Sequence, residues 1–278
     1  MLILQRNFIL RNIAGFLMLF TFYMLCTKHL IYLGLLVCFI SLGCMFELLS
    51  LAFHKKCGFS VPTLLVYCMS ISLFYSTALS FFLKKFLPTF WLLNYNYVAF
   101  LMYVFCACRF VFYFKKRLLK KQIVTLTISH AAVSISTSVL KCAIKNLHKG
   151  KFYLIFPALC VIANDAGAYY VGKIFGKTKL FKFSPNKTVE GFIGGFFSVC
   201  ILCLLGILKK CIKPNLFCIY VIFISSFIAP FSGFMASVIK RYFKKKDYGS
   251  LLPGHGGLMD RFDCHFMCIL CVNYFIYK

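Results

Sequence analysis

The charged residues of this chain are gathered into short basic clusters, and the stretches between them are apolar and long enough to cross a membrane. The apolar runs are 12–27, 29–54 (holding Glu47), 57–83, 86–108, 122–140, 152–172 (holding Asp165), 188–208 (holding Glu190), 214–239 and 262–277. A hydrocarbon core about 30 Å thick takes roughly 17–25 helical residues. Seven of the nine runs fit comfortably, and the first and last are marginal. The expected fold is therefore all-α, one polytopic membrane domain over 1–278 with about nine transmembrane helices. Within it, 1–150 is a multi-spanning half with few distinguishing features, and 152–278 is the half that carries the chemistry. The run 122–140 is rich in Ser and Thr, which predicts that it packs inside the bundle.

Composition closes off the other classes. With 62% hydrophobic and 14% charged residues, the chain lies outside the range of soluble domains, which are roughly a quarter charged. Disorder and a secreted disulfide scaffold are excluded by the same figures. The 32 Lys and Arg against 6 Asp and Glu would suggest nucleic acid on a soluble protein. Here they are the cationic loops of a membrane protein, and no nucleic-acid partner is expected. The 16 cysteines are scattered through apolar segments, with no C-x-x-C pair backed by histidines. They read as small hydrophobes rather than ligands.

The loops also carry an orientation. If the amino-terminal side is cytosolic, that face holds 21 Lys and Arg and the opposite face 11. The excess predicts the N-terminus inside, the C-terminus outside, and both long polar loops, 173–187 and 240–261, on the cytosolic face. No small-residue cleavage site follows the first apolar run, so no cleaved leader is expected.

Six carboxylates in 278 residues make each position informative. Asp165 and Glu190 form one group, Asp247, Asp260 and Asp263 a second, and Glu47 stands alone as a helix-packing partner. Carboxylates near membrane depth are expensive and mark function or ion pairing. Clustered beside Lys and Arg, they suit a hard cation shared with phosphates. Asp260 and Asp263 fall on one face if a helix begins there. Before them, Pro253-Gly254-His255-Gly256-Gly257 predicts a tight turn whose N–H groups are open to phosphate oxygens. Upstream, Lys240, Arg241 and Lys244-Lys245-Lys246-Asp247 form a cationic stretch suited to polyanions.

These residues carry a resemblance. The pattern Ser237-x2-Lys240-Arg241-x4-Lys246-Asp247-x-Gly249-x2-Leu252-Pro253-x-His255-Gly256-Gly257-Leu258-x-Asp260-Arg261-Phe262-Asp263 resembles the full signature of the phosphatidate cytidylyltransferases, or CDP-diacylglycerol synthases. An earlier block, Asn164-Asp165-x-Gly167-Ala168-Tyr169 through Ser184-Pro185-x-Lys187-Thr188-x-Glu190-Gly191, is similar to the same family. Together they cover about the last 120 residues. One departure is Asn186, where the family usually has a lysine. Asn186-Lys187-Thr188 also spells a glycosylation sequon, expected to stay unused on a cytosolic face. The Met259-to-Cys264 ending looks like the eukaryotic branch.

The resemblance implies that CTP and phosphatidic acid give CDP-diacylglycerol and pyrophosphate, a step of phospholipid biosynthesis. It implies Mg2+, with room for a second cation, held by Asp260, Asp263 and Asp165. Lys240, Arg241, Lys246, Lys187 and Arg261 would hold phosphates, with Gly256, Gly257 and Glu190 beside the substrates. Asp247 is a weaker ligand candidate, and His255 is a general acid or a hydrogen-bonding member of the turn. An endoplasmic-reticulum membrane with the site facing the cytosol is the implied setting, and a homodimer is compatible with it. A CTP-dependent polyprenol or lipid kinase and a non-catalytic transporter are the alternatives. The first would release CDP, the second neither product.

Overall fold

The computed structural model describes residues 20–27, 29–52, 68, 89–181, 184–249, 251 and 256–278. The expected span 57–83, apart from residue 68, and His255 lie outside the described residues, as does the first half of the first expected span. The described elements are α1 (Leu30–Ala52), α2 (Thr89–Tyr113), a 3-10 turn (Lys116–Leu118), α3 (Leu119–Lys149) and α4 (Phe152–Phe175). A hairpin of β1 (Lys179–Phe181) and β2 (Ser184–Thr188) follows, then α5 (Val189–Leu208), α6 (Leu216–Phe223), a π-helical turn (Ile224–Ile228), α7 (Ala229–Tyr242) and α8 (Met259–Tyr277). Among the described residues, five helical stretches are long and apolar enough to cross a membrane: Leu30–Leu51, Lys116–Lys149, Phe152–Phe175, Val189–Leu208 and Leu216–Tyr242. The protein is thus a helical membrane protein, with α8 a further 19-residue helix whose first turn is charged.

The chain divides into two compact units, residues 35–144 and residues 1–34 with 145–278. In the first, α3 buries Gln122, Thr125, Ser129 and Ser136. Their spacing repeats every three to four residues, so they share one helical face. The polar run expected to pack inward does so. Gln122 also closes the preceding corner, where its Oε1 accepts from the Lys115 N–H at 2.9 Å and its Nε2 donates to the Tyr113 carbonyl at 3.2 Å.

In the second unit, α4 and α5 pack along their lengths. Lipid chains are as apolar as leucine, so helices in a bilayer associate by close fit through small residues rather than by hiding from solvent. Gly194 shows how close: a Cβ there would stand 2.4 Å from Val171 Cβ. The α5 N-terminus is capped by Thr188, whose Oγ1 accepts from the Gly191 N–H at 3.1 Å. The core below gathers Phe156, Val161, Val199, Phe217, Val221 and Val272. Cys160, Cys203, Cys218 and Cys268 are buried among them as free thiols, in keeping with cysteine used as a small hydrophobe.

Two features were not anticipated. The loop 173–187 contains the antiparallel hairpin, with Lys179 paired to Thr188 and Phe181 to Ser184. The apolar run 214–239 is interrupted by a turn of π-helix.

Candidate active site

The site lies where α7 ends and α8 begins. The two helices are joined by the glycine-containing segment 243–258. Lys240, in the last turn of α7, places Nζ 2.7 Å from Asp260 Oδ1 in the first turn of α8. Both side chains are well covered, at 12% and 4% exposure. The other oxygen, Asp260 Oδ2, accepts from the Tyr248 N–H at 2.8 Å and the Gly257 N–H at 3.0 Å. One carboxylate therefore ties the end of α7, the middle of the connecting segment and the glycine turn together.

Tyr248 completes this corner. Its hydroxyl donates to the Ala236 carbonyl at 2.8 Å, and its ring lies 5.2 Å from Lys240 Nζ. Burial, followed by the nearby Asp263 and Asp260 charges, pushes its phenol above the ordinary range, so it stays a neutral donor. Gly256 has φ +83°, a conformation that glycine adopts without strain. A Cβ there would meet Asp247 Cγ and Asp260 Oδ2, both at 3.3 Å.

A second cluster adjoins the corner. Asp263, on α8, accepts from the Cys264 N–H through Oδ1 at 2.8 Å, and its carbonyl is held by the Ser232 hydroxyl at 2.6 Å. Lys187, from the end of β2, sets its Nζ 4.5 Å from the Phe234 ring, a cation–π contact. Asp165, exposed on α4, lies within Coulombic reach of Asp263, Lys187 and Arg261. Asp263 in turn feels Lys187 and Lys240. Gly233 makes this approach possible, since its missing Cβ would stand 3.5 Å from both Asp263 Oδ2 and Lys187 Nζ and 2.9 Å from Cys264 Sγ.

The structure thus brings together Asp165, Lys187, Lys240, Asp260, Asp263 and Arg261 from four segments. Arg241, in the last turn of α7, and Lys246 and Asp247, on the connecting segment, are exposed, and Arg241 Nη1 donates to the Lys245 carbonyl at 3.3 Å. The Gly257 N–H, expected to be open to phosphate, already donates to Asp260. Glu190 has a local task. Its carboxylate accepts from the Lys177 N–H at 3.1 Å, the Thr178 N–H at 3.1 Å and the Thr178 hydroxyl at 2.8 Å. It anchors the start of the hairpin that carries Lys187. Glu190→Gln replaces one acceptor oxygen with a donor, so the Lys177 and Thr178 amides should exchange hydrogen faster than in the wild type. Unchanged exchange would show that the hairpin is held by other contacts.

Ser232, Gly233, Phe234 and Tyr248 were missed by sequence reasoning. Tyr248 occupies an unspecified position of the signature, and the other three precede its first residue, so spacing alone offered no signal for any of them.

A family model described as the cytidylyltransferase family matches residues 9–278. The chain belongs to that family. Its relatives include a phosphatidate cytidylyltransferase of Encephalitozoon cuniculi, 33% identical over 99% of this chain and 78% of the relative. Phosphatidate cytidylyltransferase 2 of Homo sapiens is 29% identical, covering 98% of this chain and 74% of its own length. Phosphatidate cytidylyltransferase 1 of Mus musculus is 29% identical, with 98% and 72% covered. The cytidylyltransferase match thus extends through the first 150 residues, where the motifs are silent, and takes in the entire α7–α8 corner.

Proposed function

We propose that this corner transfers the cytidylyl group of CTP to phosphatidic acid, giving CDP-diacylglycerol and pyrophosphate. The observation that carries the reading is that Lys240, Asp260 and Gly257 of the Ser237–Asp263 pattern meet in one corner, in a chain matched to the cytidylyltransferases over residues 9–278. A phosphate oxygen of the lipid forms a bond to the α-phosphorus of CTP while the bond from that phosphorus to the β-phosphate oxygen breaks. The lipid phosphate is already ionised, so no protein nucleophile is required. The chain's task is to gather two polyanions, align them and offset the charge growing on the departing pyrophosphate. Lys187 and Lys240 are the partly covered cations for this, and Arg241, Lys246 and Arg261 supply the exposed ones.

Asp165 and Asp263 suit Mg2+. They are like charges within Coulombic reach of each other, and Gly233 leaves the side of Asp263 open. Among the described residues no three His, Cys, Asp or Glu stand grouped as a metal site. This fits an ion that takes one or two carboxylates and completes its shell with water and substrate phosphates. Asp260, the third carboxylate of the expected set, is held by Lys240 and would be available to such an ion only if that lysine were drawn to a phosphate. When bound, Mg2+ would offset negative charge on the transferring and leaving phosphates.

The membrane setting completes the proposal. Nine spans with a cytosolic N-terminus, supported by the 21-to-11 distribution of Lys and Arg, would place the hairpin and the α7–α8 segment on one cytosolic face, in an endoplasmic-reticulum membrane. CTP labelled separately at its α- and γ-phosphates, supplied with phosphatidic acid to the purified protein, tests the reaction. Released pyrophosphate with α-label in lipid is the expected result. CDP with γ-label in lipid would mean a kinase, and intact CTP would refute both.

The exposed lysines divide by role. Lys244 and Lys245 sit at unspecified positions of the signature, so they should act through the general field, which is screened over about 8–10 Å at physiological ionic strength. Lys244→Gln with Lys245→Gln should raise KM mildly at low salt only, whereas Lys246→Gln should lower kcat at every salt concentration. Identical salt-sensitive behaviour in both would reduce the run to a basic patch beside the membrane.

A further inference from the structure

Beneath the active corner, the end of α3 together with α4 and α8 encloses a cavity of about 30 Å3, lined in part by Asn146, Tyr153, Pro157, Ala158, His265 and Ile269. Three polar groups in its wall have bonding capacity left. His265 is 8% exposed, and its Nδ1 has no hydrogen-bond partner. With its proton on Nε2, the ring leaves Nδ1 as a bare acceptor. Pro157 stands inside α4 and has no N–H, so the Tyr153 carbonyl loses its donor at i+4. Asn146 Nδ2 donates to the Ile269 carbonyl at 3.3 Å, and its Oδ1 accepts from Asn273 Nδ2 at 2.9 Å. Its second amide hydrogen remains for the cavity.

We propose that this cavity is a binding site for one ordered water molecule, which donates to His265 Nδ1 and the Tyr153 carbonyl and accepts from Asn146 Nδ2. A water needs roughly 10–15 Å3 of such space and two to four polar partners, and the site provides both. The rest of the lining is apolar, with Leu154, Cys268 and Val272, so the molecule is confined to the polar corner. Within a bilayer no bulk water competes for these groups, and leaving them unpaired is costly. The water joins α4, which carries Asp165, to α8 two residues beyond Asp263. It thus fixes the rotation of one helix against the other at a level that governs how those two carboxylates face.

The test uses the full-length protein, labelled with 15N-histidine and reconstituted in bilayers, with magnetisation transferred from water in solid-state NMR. His265→Gln identifies the resonance. The expected result is a neutral, Nε2-protonated ring whose Nδ1 receives rapid transfer from a water that does not exchange with bulk on the same timescale. Pro157→Ala restores an N–H to the Tyr153 carbonyl and removes one of the three partners, so it should weaken or abolish that transfer. Absence of transfer to Nδ1 in the wild type would show a dry cavity and overturn the proposal. Transfer undiminished by Pro157→Ala would overturn the site as drawn.

Discussion

Asp263→Asn should lower turnover roughly 10³-fold, the scale on which one preorganised electrostatic contact to a transition state is lost. The protein should stay folded and in the membrane. The amide keeps an oxygen to accept the Cys264 N–H that Oδ1 now accepts at 2.8 Å, and the Ser232 bond goes to the backbone carbonyl of residue 263, which the substitution leaves alone. What disappears is the negative charge facing Asp165 and Lys187. Pyrophosphate release at saturating CTP and magnesium measures the effect, with detergent-phase recovery as the control for folding. Turnover near that of the wild type would remove Asp263 from the machinery.

Lys240→Met should act on stability as much as on catalysis. It leaves Asp260, 4% exposed, as a covered charge whose remaining partners are two backbone N–H groups. Removing one member of a buried pair costs about 3–5 kcal/mol, chiefly because the other is left uncompensated. Adding Asp260→Asn should recover much of that stability without recovering activity, since the amide is neutral and its oxygen can still accept both N–H groups. Thermal unfolding of both variants in detergent provides the measurement. A double variant no more stable than Lys240→Met alone would show that the pair is not what secures the corner.

The fold was legible in proportion to the length of its signals. Runs of about 20 apolar residues mark α4, α5 and the α6–α7 stretch to within a few residues, because a bilayer imposes one length on every span. The inward packing of α3 was readable from Gln122, Thr125, Ser129 and Ser136. The hairpin was not, since strands of 3 and 5 residues give too few alternations to stand out from a polar loop. At the site, residue types and fixed spacing identified the participants, and folding assigned their partners. Spacing could not show that Asp260 turns to Lys240 and the glycine turn while Asp263 faces Lys187. Nor could it show that Glu190 secures the hairpin backbone, since all of these depend on contacts between segments far apart in the chain.

The π-helical turn at Ile224–Ile228 sets the angular phase of everything after it. One residue advances an α-helix by about 100°, and a π-turn accommodates one residue more than the regular helix around it. The α6 segment presents Phe217 and Val221 to the core, whereas α7 must present Gly233 and Lys240 to α8. Deleting a single residue from this turn would give a smoother, fully α-helical span of nearly the same length. It would also rotate α7 by about a quarter of a revolution or slightly more, carrying Lys240 away from Asp260 and Gly233 away from Asp263. The irregular turn is thus a phase correction, by which one continuous rod serves the packing of the bundle at one end and the chemistry at the other.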